Sequence, residues 1–454
     1  MRGFFPLDRK LKLRHDHRSD GAAAVATLMA LRATSFERAA ADYQAAVGGP
    51  FPRTTGWRVT TGAGAILAER KQVEAERAVA VPERGESPQQ RRVVEDQPIT
   101  GRANLSSDGT MIRIRDEGYK EIKMSAISAV SLCAATATPT KPLLGRSDAP
   151  QVTTGAGAMC AQRKKIEGER AVAVAGRGES PQPRRVVQDQ RIAGQAPISR
   201  DGTMSVISED RRKEIRTRTI SAVSLREATA TPAQPLLRRS EAQRVHESRV
   251  RLSQHSYVAG LWEADEFLKY QYAEGLRRGL DRAQVLSSVN DAAAWIQRVT
   301  ATNFPQAVQI VDWSHSSQHL FTVANEVLGE GSTAALTWVE ARKDELWDGQ
   351  VGTVVDALRY LCAQDTHWPP DVSQAPGYFE ANHERMHYPD FRDAGYPIGS
   401  GTVESGANNV VKLRMCRPGR GWARTHTNGM LALLCEYHSG RFTRTWASLS
   451  QPAA

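Results

Sequence analysis

The sequence predicts a mixed α/β protein whose folded mass lies mainly in its carboxy-terminal half. Helical and strand-like segments alternate from Ala264 onward, and such alternation is typical of α/β domains. Eight of the nine tryptophans lie between Trp262 and Trp446, whereas residues 60–243 contain one aromatic residue, Tyr119. Because aromatic side chains supply much of the buried surface of a core, we expect the core where they are concentrated.

The amino-terminal domain, residues 1–59, is predicted to be small and helical. The segments from Ala22 to Thr34 and from Ser35 to Asp42 are typical of helices, and Gly48-Gly-Pro50 interrupts the pattern. Two interpretations fit this block of helices. One is a helix-turn-helix that grips DNA, and the other is a generic helical bundle.

A segment of the chain is duplicated at an offset of 93 residues, the spacing between Asp108 and Asp201. Asp108-Gly-Thr-Met recurs as Asp201-Gly-Thr-Met, and Thr60-Thr-Gly-Ala-Gly-Ala recurs from Thr153. Two long copies indicate a recent duplication, because solenoid units are shorter and recur more often. The copies are rich in Ala, Arg, Pro and Gln, so we expect them to be partly disordered. They span residues 60–150 and 153–243.

One part of the first copy predicts a β-hairpin. The runs Met111–Ile114 and Ile122–Ile127 flank Asp116-Glu-Gly118, which has the composition of a turn. The matching part of the second copy lacks the glycine, so its hairpin signal is weaker.

The carboxy-terminal domain, residues 244–446, is predicted to alternate helices with a buried strand. The strand is Ala307–Val311, which is short and apolar and is followed by Asp312. Pro369-Pro370 marks a loop inside a helical insertion expected at about residues 330–395. The predicted helices are Ala264–Arg278, Asp291–Thr300, His315–Gly329 and Ala334–Leu361.

Composition limits the compartment and the partners. The chain carries a net charge of +10 and has a pI near 9.5, which favours a polyanionic partner. Its five cysteines form no CxxC pair, so we expect a reducing compartment without disulfides or a cysteine zinc site. The charged amino end does not resemble a signal peptide, and no apolar run reaches the roughly 18 residues of a membrane span. We therefore expect a cytoplasmic protein.

A carboxylate opens a predicted helix that continues into a basic surface. Thr402 is the expected N-cap, and Glu404 then falls in the first helical turn. Three later residues are expected to share the face of Glu404: Asn408, Lys412 and Met415. A metal ion and a phosphate at this place would explain the pattern, although a capped surface helix with a solvated basic side also fits.

The residues after Glu404 predict a DNA-binding surface. Trp422 lies among arginines, and an aromatic ring in that setting can stack on a base while arginines hold phosphates. A tryptophan at the rim of a basic loop is the alternative. The candidate DNA-binding residues are Lys412, Arg414, Arg417, Arg420, Trp422 and Arg424.

Several carboxylates are candidates for a shared metal site. Three of them would suit two Mg²⁺ ions about 4 Å apart, which activate an attacking oxygen and stabilise the leaving oxygen of a phosphodiester. Each carboxylate alone also fits a helix cap or a surface position. His315 follows Asp312 by three residues, so a helical turn would bring the pair together, unless His315 is purely structural. The candidates are Asp108 or its duplicate Asp201, Asp291, Asp312 and Glu404.

A second motif suggests zinc. His383-Glu384-Arg-Met-His387 matches H-E-x-x-H, which on a helix places two imidazoles on one face with the glutamate as a base. Pro389 follows at once and would end such a helix just past the second histidine.

Seven segments follow one another in a fixed order along the chain. They are Asp-Gly-Thr, His255-Ser-Tyr-Val-Ala-Gly-Leu261, Asn290-Asp291-Ala-Ala-Ala-Trp-Ile296, Phe304-Pro305, Asp312-Trp-Ser-His315, Tyr396-Pro-Ile-Gly-Ser-Gly-Thr-Val-Glu-Ser405 and His438-Ser-Gly-Arg-Phe442. In this order they resemble bacterial insertion-sequence transposases of the ISKra type, which are distantly Mutator-like. The resemblance is nearly continuous from about Ser253 to Trp446 and also covers much of residues 3–59 and one copy of the repeat.

The resemblance implies a ribonuclease H-like catalytic domain that cuts and joins DNA with an Asp-Asp-Glu set and Mg²⁺ or Mn²⁺. The first carboxylate maps to Asp108 or Asp201, and the last maps to Glu404. By the Mutator-like pattern Asp291 is the second metal ligand, with Asp312 and His315 as an accessory pair. Asp312 as the second ligand is the alternative.

The chain departs from the family pattern by having two Asp-Gly-Thr segments. A central strand needs apolar, β-prone residues, which favours the copy that contains Asp108. An insertion of 93 residues would cost little, because loop-closure free energy grows with the logarithm of length.

Three functions follow as expectations. The first is a DNA transposase that acts on element ends and target DNA as a homo-oligomer in the bacterial nucleoid. The second is an inactive remnant that only binds DNA, and the third is a zinc hydrolase that uses His383 and His387.

Overall fold

The computed structural model describes residues 19–49, 51–80, 93–133, 243, 246, 249–365 and 367–450. All of these residues fall within one compact unit of the chain. Asp201 and nearly all of the second repeat copy lie outside the described residues. The expected mixed α/β architecture is confirmed, since helices pack around a five-stranded mixed sheet.

The sheet has the strand order β3-β2-β1-β4-β5. The strand β2 runs antiparallel to both β3 and β1, whereas β4 is parallel to β1 and β5 is parallel to β4. The central strand β1 is therefore paired on both sides, with β2 across the hairpin and with β4 through a crossover connection. The strands are β1 (Arg102–Ile114), β2 (Gly118–Leu132), β3 (Val250–Gly260), β4 (Val285–Asn290) and β5 (Val308–Val311).

The predicted hairpin of the first repeat copy is confirmed, and it supplies β1 and β2. Its turn places Asp116 at φ 63° and Gly118 at φ 77°, both in the left-handed region that glycine adopts most easily. Ile112 and Ile114 face the core from β1, where Ile122 meets them from β2. The glycine that is missing from the second copy is thus one that the turn uses.

The far ends of β2 and β3 are joined closely. Leu132 pairs with Val250, and the Cys133 N–H donates to the Arg249 carbonyl at 2.8 Å. Residues more than a hundred positions apart in the chain are therefore direct neighbours at this edge of the sheet.

Most predicted helices are present, with shifted ends. They are α1 (Asp20–Arg32), α2 (Phe36–Val47), α3 (Arg53–Val79), α4 (Ala264–Arg277), α5 (Ala294–Asn303), α6 (Trp313–Leu328), α7 (Thr333–Trp347), α8 (Val351–Cys362), α9 (Pro370–Ser373), α10 (Ala375–Ala381), α11 (Tyr388–Asp393), α12 (Gly401–Gly406), α13 (Leu413–Met415), α14 (Arg424–His438) and α15 (Phe442–Leu449).

The single helix predicted for Ala334–Leu361 is wrong, because the chain turns at Gly349. This glycine has a φ of 79°, a conformation that ends α7 and lets α8 begin at Val351. The loop predicted at Pro369-Pro370 is also only partly correct, since Pro370 starts the short helix α9.

The amino-terminal helices pack on the rest of the unit. The helix α3 runs to Val79 and so crosses the boundary expected at residues 59 and 60. It packs against α14 where Gly64 meets Gly429, and a Cβ on Gly64 would lie 2.8 Å from the Gly429 carbonyl. Among the described residues no helix is both long and apolar enough to cross a membrane.

A buried ionic cluster joins α3, α4 and α14. Arg441 donates to Glu274 at 2.7 Å and to Glu436 at 3.0 Å, and Lys71 from α3 lies 2.8 Å from Glu436. Burial raises the pKa of Glu436, but Lys71 and Arg441 outweigh burial and hold this pKa well below its usual value. The ion pairs thus tie α3 and α4 to α14.

We predict that Gly64→Ala destabilises the protein, because its Cβ would press on the backbone of Gly429. Overpacking of this kind costs about 1–3 kcal/mol of unfolding free energy. The matched control is Gly62→Ala on the same helix, where a Cβ meets nothing within 4 Å. That change is expected to add about 0.5–1 kcal/mol, since alanine is the better helix former. Urea unfolding of both variants measures the difference, and equal midpoints would contradict this packing.

Candidate active site

Three aspartates are aligned across neighbouring strands by the pairing of β1 with β4 and of β4 with β5. Leu105 of β1 pairs with Ser288 of β4. Continuing this register by three residues brings Asp108 opposite Asp291, and the β4–β5 register in turn brings Asp291 opposite Asp312. Asp108 lies in the middle of β1, whereas Asp291 and Asp312 directly follow β4 and β5. We call these three aspartates, together with the nearby Glu404, the carboxylate edge.

Asp108 is the most strongly perturbed member of this edge. Burial raises its pKa to about 6, a hydrogen bond from the Gly109 N–H opposes the rise, and the carboxylate of Asp291 adds to it. Lys412 lowers the pKa and Glu404 raises it further. The side chains of Asp291, Glu404 and Lys412 are therefore close enough to Asp108 to act on its charge. Repulsion among the carboxylates is the situation that a bound cation relieves.

Asp291 follows the last residue of β4 and starts a turn. Its Oδ1 accepts a hydrogen bond from the Ala293 N–H at 3.1 Å, and Ala292 has a φ of 66°. The turn directs the chain into α5. Asp291 also contributes, after burial, to the raised pKa of Tyr378, which therefore lies beside it.

Asp312 is built into the fold more deeply than Asp291. It is buried, and it caps α6 by accepting the His315 N–H at 2.7 Å through Oδ1. Its Oδ2 accepts the Ser400 N–H at 2.5 Å. Both carboxylate oxygens are thus engaged by backbone donors, which favours a structural role for Asp312 and leaves Asp291 as the second metal-ligand candidate.

Glu404 lies on α12, close to the residue that Asp312 holds. The N-cap of α12 is Ser400, so the predicted capping by Thr402 is wrong, because the helix already begins at Gly401. The Ser400 hydroxyl donates to Glu404 Oε1 at 2.9 Å. Asp312 therefore positions Ser400, and Ser400 orients the exposed carboxylate of Glu404.

The helix that carries Glu404 widens into a π-helical turn at Ala407–Lys412. Asn408 and Lys412 remain exposed, but Met415 is buried among the side chains of the core. The predicted face shared by Glu404, Lys412 and Met415 is therefore wrong at Met415, because the wider turn rotates the residues that follow it.

His315 does not contact the Asp312 carboxylate through its ring. Its Nε2 lies 3.3 Å from His319 Nε2, and only its backbone N–H reaches Asp312. Burial and the nearby His315 lower the pKa of His319 to about 4. The His319 ring stacks on Tyr378 with centroids 4.1 Å apart, so both histidines belong to an aromatic cluster beside the edge.

Arg414 is not on the surface, which corrects its assignment as a DNA-binding residue. Its Nε donates to the Ala30 carbonyl at 3.0 Å, and its guanidinium packs between the rings of Phe36 and Trp422. Burial first, and then the charges of Arg420 and Arg417, lower its pKa to about 10. The side chain holds α1 against the segment after Glu404.

Three other DNA-binding candidates have partners within the fold, and one of them, Arg420, donates to the Thr34 carbonyl at 3.2 Å. Arg424 makes a two-pronged ion pair with Glu117 at 2.6 and 2.8 Å. Trp422 is half-buried, and its indole N–H donates to the Met415 carbonyl at 3.2 Å. Lys412 and Arg420 are exposed, while Arg417 is half-buried.

The H-E-x-x-H motif does not lie on an α-helix. His383–Arg385 forms a single 3₁₀ turn, and α11 begins only after His387. The prediction that this motif lies on a helix, on which the zinc hydrolase hypothesis depended, is therefore wrong. The motif forms a 3₁₀ turn instead. Ligand atoms of His383, Glu384 and His387 nevertheless lie within 4.8 Å of one another, a closer group than the edge carboxylates form in the described part of the chain.

Sequence reasoning missed two supports of Asp108. A Cβ on Gly109 would lie 2.0 Å from Glu121 Oε1, and Lys123 holds that carboxylate at 2.6 Å. A glycine in the middle of a strand was the available signal, because it often marks such a close approach. Beneath the edge, Gln271 donates to both Ser107 and Ser125, whose hydroxyls lie 2.6 Å apart.

A scan against protein-family models and a search of curated proteins each found no match to this chain. Its function therefore has to be inferred from the carboxylates and their surroundings.

We predict that Asp108→Asn makes the protein more stable at pH 7. A raised native pKa favours the protonated carboxyl, so its stabilising effect is complete below pH 3.8 and disappears as pH rises through about 6. Asparagine keeps the neutral state, and the gain at pH 7 is about 1–3 kcal/mol. Urea unfolding at pH 4 and pH 7 measures it, with exposed Asp116→Asn as control. A gain that is the same at both pH values would contradict the assigned pKa.

We predict that Asp312→Asn destabilises the protein and that Asp291→Asn does not. Asp312→Asn replaces one of two oxygens that accept a backbone N–H by an NH₂ group, which cannot accept. The loss of this hydrogen bond costs about 1–3 kcal/mol of unfolding free energy. Asp291→Asn keeps the one acceptor that its turn needs, so stability should change by less than about 0.5 kcal/mol. Thermal unfolding compares the two, and an equal loss would mean that Asp291 is as structural as Asp312.

Proposed function

We propose that the protein is a DNA transposase that cuts and joins DNA with Asp108, Asp291 and Glu404 as its metal-binding carboxylates. The observation that carries the proposal is the β1–β4 register that brings Asp108 level with Asp291, where the charges of Glu404 and Lys412 also act on Asp108. A carboxylate cluster beside a basic surface suits phosphodiester chemistry, because the first binds cations and the second binds phosphates.

The sheet supports a ribonuclease H-like catalytic domain. Three antiparallel strands followed by two parallel ones, in the order 3-2-1-4-5, are the arrangement expected of that fold. Asp108 lies on the first strand, as the resemblance to ISKra-type transposases implies, and Asp291 directly follows the fourth. Fold alone does not define an activity, so the site carries more weight than the topology.

The residues present fit a hard divalent cation. The donors are carboxylate oxygens, which Mg²⁺ and Mn²⁺ prefer, and the raised pKa of Asp108 reflects mutual repulsion as well as burial. A pair of such ions, when bound, activates the attacking oxygen and stabilises the leaving oxygen of a phosphodiester. Asp108, Asp291 and Glu404 would hold them.

The remaining side chains orient the substrate and the ligands. Ser400 fixes the rotamer of Glu404 by its hydrogen bond to Oε1. Lys412, on the exposed side of the π-helical turn, is placed to neutralise a phosphate beside the carboxylates. Arg417 and Arg420 extend the positive charge away from the site. We propose that double-stranded DNA, as element end or target, lies along this path and that copies of the chain assemble on it.

The first repeat copy is the one that supports catalysis in this proposal. It contributes both strands of the central hairpin, so the duplication has not displaced β1 from the sheet. This supports an active enzyme over an inactive remnant. Asp108, rather than Asp201, is the first carboxylate that we propose.

We predict that the wild-type protein cleaves a plasmid carrying its own genomic locus in the presence of Mg²⁺. Glu404→Gln, Asp108→Ala and Asp291→Asn should each reduce strand cleavage to background, because each removes a charged cation ligand. Asp201→Ala is the matched control and should keep wild-type activity. Gel analysis of nicked and linear products measures the outcome.

Three results would count against the proposal. Full cleavage by Glu404→Gln would remove the carboxylate site, and loss of cleavage in Asp201→Ala alone would assign the site to the second copy. DNA binding that weakens steeply with salt, without cleavage under any divalent metal, would identify an inactive remnant that only binds DNA.

A further inference from the structure

His383, Glu384 and His387 form a compact ligand group between α10 and α11. Their ligand atoms lie within 4.8 Å of one another. The Glu384 carboxylate lies between the two imidazoles, with one oxygen 3.6 Å from His383 Nδ1 and the other 3.9 Å from His387 Nε2. The two rings meet edge to face, with centroids 4.9 Å apart.

These separations are close to those of a tetrahedral zinc site. Zinc bonds to nitrogen and oxygen of about 2.1 Å imply neighbouring donor atoms about 3.4 Å apart. The observed 3.6 and 3.9 Å run to different oxygens of Glu384, so a rotation of this exposed side chain has to bring one oxygen close to both imidazole nitrogens. Three protein ligands would leave one coordination position for water or another oxygen donor.

We propose that this group binds one zinc-class divalent ion, in addition to the cations of the carboxylate edge. Two imidazoles with one carboxylate suit Zn²⁺ and related transition metals, whereas the all-oxygen edge suits Mg²⁺. The two sites are thus separated by ligand chemistry. The inference does not depend on the proposed transposase activity.

The role of the ion is structural in this proposal, and it differs from the hydrolase motif that the spacing suggests. In a helical H-E-x-x-H site the glutamate is the base and a third ligand comes from elsewhere. Here Glu384 occupies the position of the third ligand, and its side chain is 90% exposed. As a ligand, Glu384 would not be free to act as the base of a hydrolase.

The surrounding residues hold the loop in position for the ligands. The Asn382 side chain donates to the Tyr378 carbonyl at 2.7 Å, and Met386, between the two histidines, is fully buried. After His387, the Tyr388 hydroxyl donates to the Val311 carbonyl at 3.1 Å at the end of β5. An ion here would therefore stiffen the loop that packs next to the carboxylate edge.

The test is a zinc titration of the full chain after chelator treatment, in competition with a chromophoric zinc indicator. We expect His383→Ala and Glu384→Gln each to bind one equivalent less than wild type, or to bind it at least about tenfold more weakly. His367→Ala is the matched control, since His367 is an exposed histidine that also lies beside a carboxylate, that of Asp365. It should bind zinc as wild type does, because His367 is not part of the ligand group.

Zinc-edge X-ray absorption of the loaded protein should report two imidazole nitrogens and one carboxylate oxygen at about 2.0–2.2 Å. Because the substituted side chains are exposed, their circular dichroism spectra should match that of wild type. Equal zinc binding by wild type, His383→Ala and Glu384→Gln would overturn the proposal. Loss of zinc with unchanged DNA cleavage would leave both proposals standing, since they concern different residues.

Discussion

The parallel pairing of β1 with β4 is the constraint on which the rest of the structure depends. This register places Asp108 level with Asp291, and the next register along the sheet places Asp312 beside them. A slip of one residue would turn Asp108 to the other face of the sheet and separate the carboxylates. The Ser107 N–H, which donates to the Asn290 side chain at 2.5 Å, fixes the register at the last residue before the site. The hairpin then holds β1 from its other side.

Beneath the carboxylates the core is polar, which is unusual for central strands. Gln271 from α4 bonds the hydroxyls of Ser107 and Ser125, and Asn303 donates in turn to the Gln271 carbonyl oxygen at 2.9 Å. Each of these groups is buried, so each would be costly without its partner. A network of this kind admits one relative position of β1, β2, α4 and α5. We infer that this polar network fixes the position of the strand that carries Asp108, although apolar side chains would pack there more favourably.

Local patterns in the sequence predicted local structure well. Asp116-Glu-Gly118 marked the hairpin because its turn needs positive φ angles, and the apolar run before Asp312 marked β5. The errors arise where distant residues decide. Arg414 looked like a surface cation, yet it bonds the carbonyl of Ala30, 384 residues earlier in the chain. The motif at His383 singled out the ligand residues but predicted a helix, whereas a 3₁₀ turn brings them together. The Asp-Asp-Glu assignment came from a resemblance, and periodicity alone left Asp291 and Asp312 equal.

The direct pairing of Leu132 with Val250 has a consequence for how this protein can evolve. The exit of β2 and the entry of β3 are fixed neighbours, so the geometry of the sheet does not depend on how many residues connect them. A duplication that falls in this connection adds length without moving a strand, and its cost grows only with the logarithm of that length. The same place would accept a foreign domain. The fold thus has a natural insertion point, at which the chain can acquire new sequence and keep its sheet.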